Sequence, residues 1–268
     1  MNGVLYNFIN HKKINGTLFY CFEYYIFLKE KYDIKFFIFD INEDDLEFIK
    51  NVFLNKYNFN KDYLNDIVCI NKFTDLYKLK LKNILIFDVR TFDKLNNFLQ
   101  NTNKLVYSNE KPKTNNFKNT TFYGFYDYQL KDKITRLKFF KEIHKVFANK
   151  GDKIFISSVL EVSNEIVNDI IIKYNIKKEN IFLKRNNKHF ENLFEDIKEA
   201  IYVSTILDKN NRLIVECFIH NIPFIIYNLE YNDSIKERYN CIKNGNINEF
   251  LLDNSDIMIT DFLKGIND

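Results

Sequence analysis

Short apolar runs alternate with amphipathic stretches along this chain, and that rhythm limits the folds open to it. Ile34–Ile41 is apolar on both faces, and Ile84–Val89 and Leu105–Ser108 are further strand-like runs. Strands buried on both faces are typical of parallel sheets, in which a crossover helix joins successive strands. Helices are predicted at Leu18–Lys31, with Thr17 as the candidate N-cap, and from about Asn42 to Tyr57. The first half is therefore predicted to form a doubly wound parallel sheet.

The first half ends with a polar segment at residues 109–121, a short strand predicted at Tyr123–Tyr128 and an amphipathic helix predicted at Ile134–Phe147. A second series of strands and helices follows. The clearest boundary is Asn149–Asp152. Beyond it, strands are predicted at Lys153–Ser157, Ile181–Leu183, Ala200–Ser204 and Phe224–Tyr227, and helices at Asn164–Tyr174, His189–Lys198, Ile214–His220 and Asp256–Gly265. The predicted fold class is α/β, with two Rossmann-like domains, residues 1–148 and 149–268, facing each other across a cleft. Ligands bind at the carboxyl edges of such sheets.

Composition excludes several classes of protein. A hydrophobic content of 46% and a charged content of 28% are those of a globular chain. The net charge of +3 lies wholly in residues 1–130, which is too small a surplus to indicate a nucleic-acid surface but permits an anionic acceptor there. The first residues do not predict a signal peptide, and no apolar run is long enough to predict a membrane-spanning helix. The four cysteines, Cys21, Cys69, Cys217 and Cys241, lie far apart, which predicts buried thiols in a cytosolic protein.

Several well-known site motifs are missing from the sequence. Neither a GxGxxG fingerprint nor a P-loop is present, which argues against a dehydrogenase and against a P-loop kinase. No cysteines or histidines have zinc spacing, and no Ser-His-Asp or Cys-His set has a recognisable spacing. The DxD signature of metal-dependent sugar transferases is also absent. Nothing in the sequence therefore requires a metal or a bound cofactor.

The most informative segment runs from Asp208 to Tyr227. Two acids, Asp208 and Glu216, are separated by seven residues that include Arg212, and a short helix, a turn at Pro223 and a buried strand follow. This segment resembles the donor-binding segment of GT-B-type glycosyltransferases, which use nucleotide-diphosphate sugars. The resemblance covers roughly residues 150–268. It implies that the two acids lie beside the transferred sugar and the ribose of the donor.

Each residue of this segment has a structural alternative. Glu216 is predicted to accept the hydroxyl protons of the ribose, a charge-assisted arrangement, and is otherwise a solvated helix acid. Asp208 is predicted to bind hydroxyls of the transferred sugar or to cap its loop. Arg212 is predicted to neutralise the leaving diphosphate, and its alternative is a salt bridge to Asp208 or Glu216.

Three further pairs follow predicted strands or begin helices in the second half. Ser157 and Ser158 are candidates for holding a phosphate, or they cap a helix. Lys184 and Arg185 are candidates for contacts with the base or the phosphates, or they form a solvated pair. Asp233 and Ser234 mark a helix start near the same edge, where Asp233 suits an N-cap better than a catalytic role.

The first half is predicted to bind the acceptor. His11 follows the first strand and is a candidate general base for an inverting transfer, or simply a surface histidine. Asp88, at the end of a strong strand, is a rival base that Arg90 can pair with. Asn15 and Gly16 are predicted to let the backbone approach the donor phosphates.

The predicted function is transfer of a sugar from a nucleotide-diphosphate sugar to a hydroxyl of a glycan or of a modified DNA base. The short chain also resembles virus-encoded glycosyltransferases, some of which modify DNA bases. The alternatives are a non-catalytic α/β binding protein and another nucleotide-sugar enzyme such as an epimerase. The sequence leaves open the donor base and sugar, the acceptor, the stereochemistry and the oligomeric state.

Overall fold

A computed structural model of the chain confirms an α/β protein with two parallel, Rossmann-like sheets, one of six strands and one of four. The residues that the structure describes are 1–8, 14–30, 32–107, 118–123, 142–146, 151–158, 161–183, 193–203 and 212–227. Contacts divide them into two units, which meet in the sequence between Ile143 and His144. The predicted domain boundary at residues 148 and 149 lies outside the described residues, as does the predicted helix Asp256–Gly265.

The first unit alternates strands and helices. Its strands are β1 (Asn2–Asn7), β2 (Ile34–Phe39), β3 (Ile67–Ile70), β4 (Asn83–Ile86), β5 (Asn103–Tyr107) and β6 (Thr120–Tyr123). Its α-helices are α1 (Gly16–Lys29), α2 (Glu43–Lys56) and α3 (Val89–Leu95), with 3-10 helices at Lys61–Asp66, Phe73–Lys78 and Asn96–Phe98. The strands run parallel in the order β3-β2-β1-β4-β5-β6. This is the Rossmann strand order. Strands β2 and β3 are added on one side of β1 and strands β4 to β6 on the other, so the topological switch point lies between β1 and β4.

One face of this sheet is packed with aromatic rings from α1 and α2. Phe22 stacks on Phe53 with centroids 3.6 Å apart and ring planes 4° apart, and it also contacts Phe36 of β2 at 6.2 Å. The Tyr57 hydroxyl donates to Glu23 Oε1 at 2.8 Å within this layer, so a fully buried carboxylate gains a hydrogen bond. The opposite face is an aliphatic and aromatic core that includes Leu5, Phe37, Ile84, Ile86, Phe92, Leu95 and Val106. Burial on both faces explains why these strands read as continuous apolar runs.

The second unit is a smaller version of the same design. Its strands are β7 (Lys153–Ser157), β8 (Ile181–Leu183), β9 (Ile197–Val203) and β10 (Phe224–Tyr227), with helices α4 (Asn164–Tyr174), α5 (Leu193–Asp196) and α6 (Arg212–Ile219). The strands are parallel in the order β10-β9-β7-β8. Strand β8 lies on one side of β7 and strands β9 and β10 on the other, so the switch point lies between β7 and β9. Val167 and Ile170 of α4 cover one face of the sheet, and Phe194 and Cys217 cover the other.

Several local predictions were wrong in detail. The helix predicted at His189–Lys198 ends at Asp196, because Ile197 already pairs with Lys153 of β7 and Lys198 lies within β9. The first helix is capped by Asn15 rather than by Thr17, since the Asn15 side chain accepts the Leu18 amide. The helix predicted to run to Phe147 has ended before His144.

Two further expectations can be compared with the described residues. Cys21 and Cys217 are buried free thiols, whereas Cys69 is only half-buried. Within the described parts of the chain, none of the helices combines the length and the apolar character needed to span a bilayer.

Lys104 of β5 gives a prediction for stability against pH. Its side chain is 2% exposed, its amine donates to the Leu99 carbonyl at 2.8 Å, and burial lowers its pKa from the usual 10.5. Between the lowered folded pKa and 10.5 the unfolded chain binds more protons, so this residue's contribution to stability rises with pH. We expect the free energy of unfolding of the wild type, measured in urea, to rise relative to that of Lys104→Met between neutral and alkaline pH. A pH-independent difference would contradict this prediction.

Candidate functional site

The carboxyl edge of the first sheet brings two of the predicted site segments together. Because β1 and β4 are parallel neighbours, the segment after β1 and the segment after β4 begin at the same edge. Asn15 and Gly16 lie at the start of α1, after β1, and Asp88 lies between β4 and α3. This edge is the switch point of the sheet, where ligands of doubly wound proteins bind.

Asn15 links the helix start to the first strand. Its Oδ1 accepts the Leu18 amide at 3.0 Å and the Tyr6 hydroxyl at 3.3 Å. The N-cap residue supplies an acceptor to amides that have no partner within the helix. The side chain is therefore held by local structure, and its predicted role near donor phosphates stays a prediction, as does that of Gly16.

Asp88 caps α3 and also pairs with arginine. Its Oδ2 accepts the Thr91 amide at 3.3 Å and the Thr91 hydroxyl at 3.2 Å. Arg90 Nε lies 3.5 Å from Oδ1, and the Asp88 side chain is 11% exposed. The sequence predicted that Asp88 ends a strand. In the structure Asp88 is the N-cap of α3, a helix that was not predicted from the sequence. Both carboxylate oxygens of Asp88 are thus engaged in local contacts, Oδ2 with Thr91 and Oδ1 with Arg90.

Two neutral groups lie close to Asp88. Burial raises the pKa of the Tyr6 phenol well above 10.0, and Cys21 and Asp88 add to the rise. Burial also raises the pKa of the Cys21 thiol, with Asp88 as the second cause. Tyr6 and Cys21 therefore stay protonated near neutral pH, and neither is suited to act as a nucleophilic anion.

The first unit contains an ion pair that was not predicted from the sequence. Asp40 follows β2 with a left-handed φ of 55°, and its Oδ2 lies 3.0 Å from Lys94 Nζ of α3. The signal available in the sequence was an acid directly after the apolar run of β2. Its partner was not recognisable, because Lys94 lies 54 residues away and comes from a helix that was not predicted.

The carboxyl edge of the second sheet holds two of the predicted donor-site residues. Ser157 ends β7 opposite Tyr202 of the neighbouring β9, and Ser158 follows it. Both serines are 6% exposed. Since β7 and β9 flank the switch point, these hydroxyls lie at the edge where the resemblance expects a phosphate. A phosphate role for either serine stays a prediction.

Arg212 and the buried Glu216 form a partly buried ion pair on α6. Arg212 Nε donates to Glu216 Oε1 at 2.7 Å, and the two side chains are 11% and 4% exposed. The spacing of four residues places both on one helix face. The salt-bridge alternative for Arg212 is thus present in the structure, and its predicted contact with a diphosphate stays a prediction.

An imidazole pair lies beyond the end of α6 and was not singled out from the sequence. His220 stacks on Phe194 with ring centroids 4.5 Å apart, and the His144 ring lies 6.2 Å from that of His220. Both histidines are buried. Among the described residues no three His, Cys, Asp or Glu side chains form a group that could hold a metal ion.

The remaining predicted site residues lie outside the described part of the chain. These are His11, Lys184, Arg185, Asp208, Asp233 and Ser234. The acid partner predicted for Glu216 in donor binding is among them.

A scan of the chain against protein-family models found no match. Comparisons with curated proteins and with solved structures found none either. The resemblance to GT-B glycosyltransferases therefore stays a prediction from the sequence.

Proposed function

We propose that this chain is a glycosyltransferase. In this proposal the second domain binds a nucleotide-diphosphate sugar, the first binds an acceptor hydroxyl, and the two face each other across a cleft as in GT-B enzymes. The observation that carries the proposal is the partly buried Arg212–Glu216 pair, on the helix that follows β9 at the switch point of the second sheet.

The pair suits the chemistry of a nucleotide-sugar donor. A carboxylate can accept about four hydrogen bonds, so Arg212 and a ribose can share Glu216. The guanidinium carries five N–H donors, so Arg212 can hold Glu216 and also contact a phosphate oxygen. Negative charge grows on the diphosphate as the sugar leaves, and a preformed cation stabilises that charge without reorganising. Because Glu216 is 3% exposed, donor binding also requires local rearrangement around it.

The acceptor side of the proposal uses the first sheet. His11 is the first choice of general base for an inverting transfer, because the Asp88 carboxylate already accepts hydrogen bonds from Thr91 and pairs with Arg90. A retaining transfer needs no protein base. The proposed acceptor is a hydroxyl of a glycan or of a modified DNA base in the cytoplasm. The proposed reaction uses neither a metal nor a cofactor.

A panel of nucleotide-diphosphate sugars in thermal-shift measurements, followed by an assay for released nucleoside diphosphate, tests this function. Stabilisation by one donor together with diphosphate release supports transfer. Conversion of the donor without release indicates an epimerase. The absence of binding to every donor indicates a non-catalytic protein and rejects the proposal.

Glu216→Gln provides the sharper prediction. Replacing the carboxylate by an amide weakens the ribose hydrogen bonds, so donor binding should fall by about 1–3 kcal/mol in calorimetric titration. Unfolding should also become easier, since Arg212 loses its counter-ion, and titrations must be run well below the unfolding temperature. Glu179→Gln is the control, because Glu179 is an exposed acid of the second unit that precedes β8 and lies outside the proposed site. Equal donor affinity in Glu216→Gln and wild type would assign Glu216 a structural role only.

A further inference from the structure

A groove of about 340 Å³ opens at the amino edge of the first sheet, where the chain enters β4 and β5. Its lining comes from two segments, Leu76 to Leu81 without Lys78, and Asn97 to Thr102. The volume lies within the range of small-ligand sites. Asn15 and Asp88 lie at the opposite, carboxyl edge of the same sheet. The groove is therefore separate from the candidate site already described.

One wall of the groove is aromatic and open to solvent. The Tyr77 side chain is 65% exposed, and its ring lies 5.3 Å from that of Phe98 at an angle of 52°. Few of the large hydrophobic side chains that the structure describes are as exposed. An exposed ring held in place by a second ring provides a flat surface on which a planar group can stack.

The charge of the groove is positive. Lys80 lines the groove and is exposed, and Lys82, two residues further on, is exposed as well, whereas Leu81 between them is buried. Because only Leu81 separates them, Lys80 and Lys82 give this short segment two exposed cationic side chains. None of the described residues that line the groove is a carboxylate. The nearby acid Asp75 is paired with Lys78 at 2.7 Å.

The rim adds groups that bind base edges. Asn97, Gln100 and Asn101 are exposed lining residues. Amide side chains both donate and accept hydrogen bonds, as nucleobase edges do. A neutral sugar could use the ring and the amides but would gain nothing from the lysines. A planar, hydrogen-bonding and anionic polymer uses all three.

We propose that this groove binds single-stranded nucleic acid, with one base stacked on Tyr77 and neighbouring phosphates on Lys80 and Lys82. The combination of an aromatic platform and a cationic track is how proteins bind single strands without strong sequence preference. The proposal does not depend on glycosyl transfer, because it uses the opposite edge of the sheet.

The test is fluorescence anisotropy of a labelled oligothymidylate with the full chain at low and moderate salt. Tyr77→Ala should weaken binding about 5- to 100-fold, the usual effect of losing a base–aromatic stack. Tyr77→Phe should bind like the wild type. Lys80→Gln should reduce the slope of log affinity against log salt by about 0.7. Lys177→Gln, which removes an exposed lysine of the second unit, is the control and should change neither quantity.

Three results would overturn the proposal. The first is wild-type affinity in Tyr77→Ala at unchanged thermal stability. The second is competition by thymidine monophosphate as strong as that by the oligonucleotide, which would limit the site to a free nucleotide. The third is displacement of the oligonucleotide by a neutral oligosaccharide, which would identify a sugar groove.

Discussion

Arg212→Ala is expected to lower the free energy of unfolding of the second unit by about 3–5 kcal/mol, because it leaves the Glu216 carboxylate buried without its guanidinium. The two side chains are only 11% and 4% exposed, so water cannot easily replace the lost partner. Hydrogen exchange measured by mass spectrometry is the suitable readout, since it resolves peptides of β9 in the second unit from those of β1 in the first. Protection should fall in β9 and stay unchanged in β1.

The double variant Arg212→Met with Glu216→Leu is the matched control for this effect. It removes both charges and keeps apolar volume, so stability should return close to that of the wild type. Protection of β9 that is unchanged in Arg212→Ala alone would show that the pair is not buried in solution.

The same arginine separates stability from the proposed catalysis. Arg212→Lys keeps a positive charge next to Glu216 but loses the planar fork, so turnover should recover only in part. Arg212→Ala should lower turnover more than donor affinity, because the diphosphate charge grows in the transition state. Unchanged steady-state transfer in a folded Arg212→Ala protein would reject the proposed role.

Phe22→Ala is expected to lower the free energy of unfolding of the first unit by about 3–5 kcal/mol, the usual cost of removing a buried phenyl ring. The ring is fully buried and stacks on Phe53 at 3.6 Å, so the cavity would lie between α1, α2 and the sheet. Urea unfolding followed by circular dichroism, with exchange of β1 peptides as the local probe, measures the loss.

Ile172→Ala is the matched control for Phe22→Ala. Ile172 is 78% exposed on α4, and truncation of an exposed side chain should change stability by no more than about 0.5 kcal/mol. A loss in Phe22→Ala as small as that in Ile172→Ala would show that the aromatic layer is loosely packed.

The sequence determined the type of sheet and most of its elements. A strand that is apolar on both faces can be stable only between two layers of helices, and Ile34–Ile41 accordingly predicted β2, which has packed side chains on either face. The bounds predicted for Asn164–Tyr174 were confirmed, because Ser163 caps the helix start and Asn175 ends it in the left-handed region. These signals are local, so they can be recognised without the rest of the fold.

Predictions from local sequence failed where two structures were compatible with the same few residues. Thr17 and Asn15 both suit a helix cap, and the structure uses Asn15 because its side chain meets the Leu18 amide. Ile197 and Lys198 continue a helical pattern in the sequence, yet Ile197 pairs with Lys153 of β7 and both residues belong to β9. Pairing with a neighbouring strand outweighed the local preference.

Only the tertiary structure decided what lies next to what. The strand order brings Asn15 and Asp88 to one edge although they are far apart in the chain, and it pairs Asp40 with Lys94. Spacing alone allowed an Arg212–Glu216 contact, but the burial that gives this pair its expected energy depends on what packs around α6. The groove beside Tyr77 forms in the same way, from two segments that the sequence separates and that the pairing of β4 with β5 brings side by side.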